Sequence, residues 1–372
     1  MIRIIDKHNC CGCNACVQRC PKQCIFMRED DEGFLYPKVD LSRCIDCHLC
    51  EIVCPCLNQG KTHEPLTCYA AMNTDEDIRR QSSSGGIFTA FAEKIIADGG
   101  VVFGASFDEK WQVIHNYVEK IEDLAAIRGS KYVQSKIGET FRQAEAFLKK
   151  GRKVLFSGTP CQISALNHFL RKGYDNLLTI EIVCHGVPSP KIWHEYLESL
   201  HFTNIGDISH KDKSTGWRGY SITIYDMTGN ILLTERASEN KYMMAFNRNL
   251  TLRPSCFSCP AKSGKSRADI TLADYWGIEH FIPQMDDNKG TSFLCVNTLK
   301  GNTFIEKLNI QIERVDYTKT ICYNPCVFKS TSEPVDREQF WNDYTKTGIN
   351  TLLSLKKQKQ NIFSRIIKRI IR

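Results

Sequence analysis

The sequence predicts a protein of the α+β / α/β class, with a small cysteine-rich module first, a mixed α/β core next and an amphipathic helix at the C-terminus. Eleven of the 19 cysteines precede Asn58, in two copies of one pattern. Strand-like apolar runs alternate with helical patterns between residues 101 and 200, which is typical of a parallel α/β layer. Apolar and basic residues recur at helical spacing after Leu352. The predicted domains are residues 1–60, residues 66–150 and 151–330 as two parts of the core, and residues 336–372.

The repeated cysteine pattern predicts iron–sulfur ligands. Each copy has three cysteines at steps of three and a fourth before a proline, the spacing of a ferredoxin-like module that holds two [4Fe–4S] clusters. In such modules the fourth cysteine ligates the other cluster. The predicted ligands are Cys10, Cys13, Cys16 and Cys54 for cluster I, and Cys44, Cys47, Cys50 and Cys20 for cluster II. A zinc site is the alternative, but structural zinc usually takes two separated C-x-x-C pairs.

The segment between the two cysteine runs predicts a β-hairpin. Apolar residues 25–27 and 34–36 flank the polar turn 29–33, and such a turn between two short apolar runs indicates antiparallel strands. Cys11, Cys24 and Cys56 lie outside the ligand pattern. We interpret these three as small buried hydrophobic residues.

Composition and charge narrow the class of protein. A chain of 372 residues with 42% hydrophobic residues resembles an ordinary soluble protein. It opens with no secretory signal and has no run of eighteen apolar residues, so the cysteines indicate metal ligation in a reducing, cytoplasmic compartment. Seven basic residues and no acidic residue follow Thr351, so this segment accounts for the whole net charge of +7. Because the rest of the chain is neutral, nucleic-acid binding is not expected.

A serine- and glycine-rich turn opens the first helix of the core. Residues 81–86 precede a helical pattern whose apolar face contains residues 87, 88, 91, 95 and 96, and Gly99 and Gly100 end it. Exposed N–H groups at such a helix start suit a phosphate. A plain N-cap by Ser83 or Ser84 is the alternative. No G-x-G-x-x-G follows a strand, so a Rossmann dinucleotide fold is not expected.

Two cysteines of the core follow predicted strands directly. Strands are predicted near residues 101–104, 153–156 and 177–183, with helices near 139–150, after 162 and from Ser189. Cys161 and Cys184 come just after the second and third strands, where ligand sites of α/β sheets gather. A hairpin is predicted at 220–225 and 231–234, and a strand at 269–272. The lone C-x-x-C of Cys256 and Cys259 is compatible with zinc, a redox dithiol or a cluster.

Six ordered motifs resemble the beta subunit of coenzyme F420-reducing hydrogenases and dehydrogenases, in the branch with an N-terminal two-cluster ferredoxin module. They span residues 70–280: SSSGG at 82–86, GSKYVQS at 129–135, SGTPCQ at 157–162, CHGVPS at 184–189, CFSC at 256–259 and DITLADYWG at 269–277. Two residues depart from the family pattern, because His48 and Ala273 stand where glycine is usual. Neither change removes a cluster ligand.

The resemblance implies a third [4Fe–4S] cluster and one FAD. It assigns the cluster to Cys161, Cys184, Cys256 and Cys259. It assigns the flavin to the Ser-Gly-Gly turn and the Gly-x-Lys-Tyr loop, with the predicted contacts Ser83, Ser84, Gly85, Gly86, Lys131, Tyr132, Ser135, Thr159 and Gln162. It does not imply that coenzyme F420 is the partner of this chain.

The predicted function is an iron–sulfur flavoprotein oxidoreductase that passes electrons between its clusters and FAD, to or from an unknown small substrate or a deazaflavin such as coenzyme F420. The predicted redox partner is a ferredoxin or a partner subunit. His185 is the candidate proton donor, because imidazole titrates near neutral pH, and a structural histidine is the alternative. Asp274 and Lys131 are compatible with salt bridges, and Trp276 with a core position. The other functions considered are a non-catalytic electron-transfer subunit and a zinc and iron–sulfur scaffold without flavin.

The last twenty residues predict an amphipathic helix. Its apolar stripe contains Ile362, Phe363, Ile366, Ile367, Ile370 and Ile371. Every charged residue of this segment is basic. Such a helix suits binding to an anionic membrane surface at the inner face of the membrane. Docking on a partner subunit or on the body of this chain is the alternative.

Overall fold

The computed structural model of the protein describes residues 1–357 and arranges them in three β-sheets. The strands of this part of the chain are β1 Ile25–Glu29, β2 Leu35–Val39, β3 Thr67–Asn73, β4 Val101–Phe107, β5 Val113–Val118, β6 Val154–Gly158, β7 Leu177–Ile182, β8 Ile205–Asp212, β9 Ser221–Asp226, β10 Ile231–Arg236, β11 Ile270–Asp274, β12 Ser292–Val296 and β13 Ile310–Val315. The α-helices are α1 Ala15–Arg19, α2 Leu49–Ile52, α3 Glu76–Gln81, α4 Ile87–Ala97, α5 Leu124–Ile127, α6 Thr140–Lys149, α7 Pro160–Leu170, α8 Pro190–Ser199, α9 Lys241–Asn247, α10 Leu299–Ile305, α11 Tyr317–Thr320, α12 Arg337–Thr347 and α13 Ile349–Leu353.

The N-terminal module has the predicted ferredoxin-like arrangement. β1 and β2 form the antiparallel hairpin, and one short helix starts within each cysteine run. Asn14 and His48 precede these helices with φ of 63° and 58°. The left-handed conformation at His48 explains why glycine is usual there, and histidine is among the side chains that tolerate it best. Ala15 and Val53 are fully buried in the cluster formed by α6, α7 and the large sheet, so module and core share apolar packing.

The large sheet has eight strands in the order β13-β3-β12-β11-β7-β6-β4-β5. Its centre, β11-β7-β6-β4, is parallel as predicted, and the remaining pairs are antiparallel. Successive residues of β4 point to opposite faces: Phe103 packs with α6 and α7, and Val102 packs with α4. Helices on both faces bury the sheet, and each buried phenylalanine stabilises the fold by about 1.5–3 kcal/mol. The mixed α/β class is confirmed.

Parallel pairing places three chemically important loops at one edge of the sheet. β6, β7 and β11 are parallel neighbours, so their C-terminal ends meet at the same edge. Cys161, Cys184 and Asp274 lie at or just after these ends. The second hairpin, β9–β10, pairs with β8 in a separate three-stranded sheet.

The chain after residue 336 begins with packed helices. Phe340, Trp341 and Tyr344 of α12 and Leu352 of α13 are buried against α8 and α9. The predicted apolar stripe from Ile362 onward lies outside the described residues. Within residues 1–357, no helix has the length and apolar character needed to cross a membrane.

Candidate iron–sulfur and flavin site

The ligands predicted for cluster II surround one cavity. Cys20, Cys44, Cys47 and Cys50 line a space of about 340 Å³ in the N-terminal module. Although burial acts to raise it, backbone N–H groups of residues 22–24 hold the pKa of Cys20 below its ordinary value. The N–H of Ile2 donates to Cys50 Sγ over 3.2 Å. Thiols that receive N–H donors around a cavity fit the donor set of a cluster.

The cysteines predicted for cluster I also lie together. Burial raises the pKa of Cys16, and the charges of Cys13 and Cys10 raise it further. A hydrogen bond with Cys56 raises the pKa of Cys54, and burial and the charge of Cys13 add to that rise. The fourth cysteine of each run therefore lies beside members of the other run. This arrangement is the one that crossed ligation requires.

Two of the additional module cysteines, Cys11 and Cys24, are buried, as we predicted, but both face a proposed cluster site. Cys24 Sγ lies 3.4 Å from Cys20 Sγ and lines the same cavity. Hydrogen bonding with Cys13, Cys161 and Cys56 raises the pKa of Cys11. Cys11 thus lies between the cluster I cysteines and the core, a position that the sequence pattern alone did not indicate.

The four core cysteines converge on a second cavity. Cys161, Cys184, Cys256 and Cys259 line a space of about 390 Å³ together with Cys11. No group of three His, Cys, Asp or Glu side chains among residues 1–357 is spaced to hold a single metal ion. Arg253 and Lys262 also line the cavity. Their positive charges would offset the negative charges of thiolate ligands. The chemistry of this donor set fits an iron–sulfur cluster.

His185 lies at the rim of this cavity with both ring nitrogens partnered. Its Nε2 lies 2.6 Å from Asn249 Oδ1, and its Nδ1 lies 3.7 Å from Cys326 Sγ. Burial lowers the pKa of His185 below its ordinary value. These contacts are those expected of a structural histidine, and its role as a proton donor stays a prediction.

The predicted flavin turn is tied to neighbouring segments by its own polar groups. Ser83 Oγ accepts a hydrogen bond from Ser130 N over 2.6 Å, so the Ser-Gly-Gly turn and the Gly-x-Lys-Tyr loop are adjacent. Ser84 Oγ donates to Thr291 O over 2.9 Å. Helix α4 begins after Gly86, with no side-chain N-cap. The alternative of a serine N-cap is therefore wrong, and the uncapped helix start leaves N–H groups suited to an anion.

Lys131 and Tyr132 extend this region from the adjacent loop. Lys131 Nζ donates to Arg128 O over 3.0 Å and has no ion pair within the described residues. Burial lowers the pKa of Lys131 to about 8. Tyr132 packs its ring 5.1 Å from that of Phe246. A half-buried lysine with no ion pair among the described residues, in the loop next to the uncapped start of α4, fits a flavin pyrophosphate.

Three predicted flavin contacts form a network that organises the first turn of α7. Gln162 Oε1 accepts from Thr159 N over 2.9 Å, and Gln162 Nε2 donates to Ser135 Oγ over 2.8 Å. Ser135 Oγ also lies 2.9 Å from Nδ1 of His115. The network caps α7 and thereby fixes Cys161 in that turn. Contact of these side chains with flavin stays a prediction.

Strand β8 and the residue after it add two lysines that the sequence pattern did not indicate. Lys211 forms an ion pair with Asp274, whose other oxygen accepts from Trp217 Nε1 over 3.0 Å. Asp274 is therefore a salt-bridge residue. Lys213 Nζ donates to Ser84 O over 2.9 Å, and burial lowers the pKa of Lys213 to about 7. The spacing Lys-x-Lys at residues 211 and 213 was the available signal. Trp276 stacks on Trp217 with ring centres 4.8 Å apart.

A substitution at Gly86 tests whether flavin binding depends on the backbone conformation of the Ser-Gly-Gly turn. Its φ is +81°, and a Cβ there would lie 3.0 Å from Asn73 Cβ and 3.3 Å from Arg79 Cα. We expect Gly86→Val to reduce the free energy of unfolding by about 1–3 kcal/mol. The amount of flavin bound per chain should also fall. Thermal unfolding and flavin content measure both effects.

Gly99 provides the matched control for this substitution. Its φ is +75°, and a Cβ added there would meet no neighbouring atom within 4 Å. Gly99→Val should therefore cost stability through backbone strain while the flavin content stays at the wild-type level. Equal flavin loss in the two variants would contradict a local role for Gly86.

Comparisons with known proteins agree with this architecture. A family model described as the N-terminal region of the coenzyme F420 hydrogenase/dehydrogenase beta subunit matches residues 68–141, and the model of its C terminus matches residues 151–319. A 4Fe-4S dicluster domain model matches residues 9–58.

Two similar proteins come from one organism, and a similar solved structure comes from another. An uncharacterized protein of Methanocaldococcus jannaschii is 26% identical over 202 residues, which are 46% of this chain and 56% of that protein. An uncharacterized ferredoxin of the same organism is 35% identical over 52 residues, 14% of this chain and 66% of the ferredoxin. The chain thus spans less than two thirds of the length of either relative. A chain of the F420-reducing [NiFe] hydrogenase complex from Methanosarcina barkeri is 18% identical, with a TM-score of 0.49, 80% coverage of this chain and 97% of that chain.

The two beta-subunit models together match most of the chain, in the order and at the motifs from which the sequence predicted the relationship. The resemblance is confirmed: the chain belongs to the coenzyme F420 hydrogenase/dehydrogenase beta-subunit family and carries an N-terminal 4Fe-4S dicluster domain.

Proposed function

We propose that the chain is an oxidoreductase that passes electrons between three [4Fe–4S] clusters and one FAD, and between FAD and a substrate or coenzyme. The observation that supports this most strongly is continuity between the cysteine sites. Cys11 belongs to the N-terminal module, yet it lines the core cavity beside Cys161 and interacts with Cys13. Proposed cluster I and the proposed third cluster are therefore separated only by neighbouring packed side chains. Electron transfer between them requires such a short separation.

The residues of the chain have distinct roles in this proposal. When bound, the clusters would carry single electrons and FAD would convert between one- and two-electron transfer. The predicted cysteine thiols would hold the clusters, and N–H donors such as those of Ile2 and Val187 would stabilise charge on sulfur. Lys131 and the start of α4 bind the anionic part of the flavin. His185 is the proposed proton donor toward the substrate.

Anaerobic purification with iron, sulfide and flavin quantitation tests the proposal. We expect about twelve irons and one flavin per chain. A screen of ferredoxins and small donors, including coenzyme F420, then identifies the partner by flavin reduction. Stoichiometric zinc in place of iron, or no flavin in the fully iron-loaded chain, would contradict the proposal.

One observation favours a second function, a non-catalytic subunit that delivers electrons to a partner enzyme. Both ring nitrogens of His185 already have protein partners, which disfavours a role in proton transfer. The family to which the chain belongs is described as a beta subunit, which favours a partner subunit in either case. Reduction of a small molecule by the isolated chain distinguishes the two functions, because an electron-transfer subunit would reduce only its protein partner.

The basic C-terminal segment is proposed to bind an anionic membrane surface. Each basic residue near such a surface contributes about 1 kcal/mol, and salt screens the attraction. Because Leu352 is buried and Leu355 packs on the core, a truncation after Lys357 preserves those contacts. We expect the full chain to co-sediment with anionic vesicles at low salt, and the truncated chain to stay in the supernatant with its clusters and FAD. Equal sedimentation of both chains would exclude the segment as the membrane contact.

A further inference from the structure

Arg253 is a core residue whose side chain enters the N-terminal module. It lies immediately before the short turn Pro254–Ser258 that carries Cys256, and it is 1% exposed. Its Nε donates to Cys10 O over 2.7 Å, and one Nη donates to Leu35 O over 2.9 Å. The same Nη lies 3.7 Å from Cys10 Sγ. One guanidinium thus contacts the backbone and the sulfur of a proposed cluster I ligand.

The charge of Arg253 has no carboxylate partner within the described residues. The other Nη donates to the neutral side chain of Gln134 over 3.1 Å. The guanidinium lies 4.2 Å from the ring centre of Tyr36 and 5.3 Å from that of Phe34. A buried cation is expected to have an anionic partner or to be strongly hydrogen-bonded. The groups here that become anionic when a cluster binds are the cysteine sulfurs.

Arg253 faces both proposed clusters that lie near the module–core boundary. Besides contacting Cys10, it lines the cavity of Cys161 and Cys256. The module also leaves room for the guanidinium, because a Cβ on Gly12 would lie 2.8 Å from Arg253 Nη1.

We propose that Arg253 is a positioning residue that raises the reduction potential of cluster I and holds this cluster beside the third one. The inference rests on the proposed function, since it requires cluster I to be present. Reduction adds negative charge to a cluster, and a nearby cation with an N–H donor to the ligand sulfur stabilises the reduced form more than the oxidised form. Arg253 would thereby favour cluster I as the member of the module that exchanges electrons with the core.

An EPR-monitored redox titration of the anaerobically purified full chain tests this inference. Arg253→Met should lower the midpoint potential of cluster I by about 59 mV, a tenfold change in the ratio of reduced to oxidised cluster for a one-electron couple. The potential of cluster II should stay unchanged. Arg253→Lys keeps the charge but loses the fork of donors, so its shift should have the same sign and be smaller.

Arg337 offers a matched control. It is 7% exposed and also joins core and module, because its guanidinium donates to Glu32 Oε1 over 3.0 Å and to Leu252 O over 2.9 Å. Arg337→Met should loosen the docking of the module without shifting the potential of cluster I. Equal shifts in Arg253→Met and Arg337→Met, or no shift in either Arg253 variant, would overturn the inference.

Iron content separates failure of this inference from failure of the proposed function. If the wild-type chain binds no cluster I, the proposed function fails and the Arg253 inference fails with it. If the wild-type chain is fully loaded and both Arg253 variants lose cluster I while retaining cluster II, Arg253 is a determinant of assembly, and the tuning role is rejected.

Discussion

Cys184→Ser is expected to remove about four of about twelve irons per chain and to leave both clusters of the N-terminal module in place. Cys184 lies just after β7, and its thiol lines the cavity shared with Cys161, Cys256 and Cys259. A serine hydroxyl has similar size but binds iron poorly, so this site should lose its cluster. Reduction of FAD by electrons supplied to the module should slow by about 100-fold, the upper end of the cost of losing a hydrogen-bond partner of a metal ligand. Iron analysis and stopped-flow flavin absorbance measure the two effects.

Cys326→Ser is the matched control for this prediction. Cys326 is also a half-buried cysteine beside the same site, with its sulfur 3.7 Å from His185 Nδ1, but it lies outside the predicted ligand set. The Cys326→Ser variant should therefore contain as much iron as the wild-type chain. Cys161→Ser and Cys256→Ser should lose the same irons as Cys184→Ser. Different iron losses among these three variants, or the same loss in Cys326→Ser, would contradict the shared site.

The parts of the fold that sequence could predict are those fixed by local pattern. Helix α4 follows from its apolar face and from the two glycines after it, and the module hairpin follows from two apolar runs around a polar turn. The parallel centre of the sheet was predictable because strands and helices alternate there. Strands β3, β12 and β13 were not predicted, because they pair across more than 200 residues and lack a short-range turn signal.

In the candidate site, too, local sequence patterns were predictable and contacts between distant segments were not. Cysteine spacing predicted ligand sets whose members the structure brings together. The orientation of Arg253 and Lys213 could not be predicted, since it depends on how module, turn and β8 pack in three dimensions. Cys11 was interpreted as a small buried residue, and burial alone did not reveal that it faces Cys161 from another domain. Serine capping of α4 was wrong for a related reason: the hydroxyls of Ser83 and Ser84 bond to distant segments.

Cys20→Ser is expected to deplete cluster II and preserve cluster I, although Cys20 belongs to the first cysteine run. Its thiol lines the cavity of Cys44, Cys47 and Cys50, and crossed ligation is the established arrangement for this spacing. Up to about four of about twelve irons should be lost, together with the EPR signal of cluster II. Cys13→Ser should instead remove cluster I. Loss of the cluster I signal in Cys20→Ser would refute the crossed assignment.

Cys24 determines how completely this variant loses its cluster. Its sulfur is 3.4 Å from that of Cys20 and lines the same cavity, so it is placed to replace the missing ligand. Cys24→Ser alone should therefore retain every cluster, and Cys20→Ser alone should retain a fraction of cluster II. The double variant should lose cluster II completely. If Cys24→Ser alone removed cluster II while Cys20→Ser did not, Cys24 would be the native ligand, and the C-x-x-x-C-P spacing would have misassigned this position.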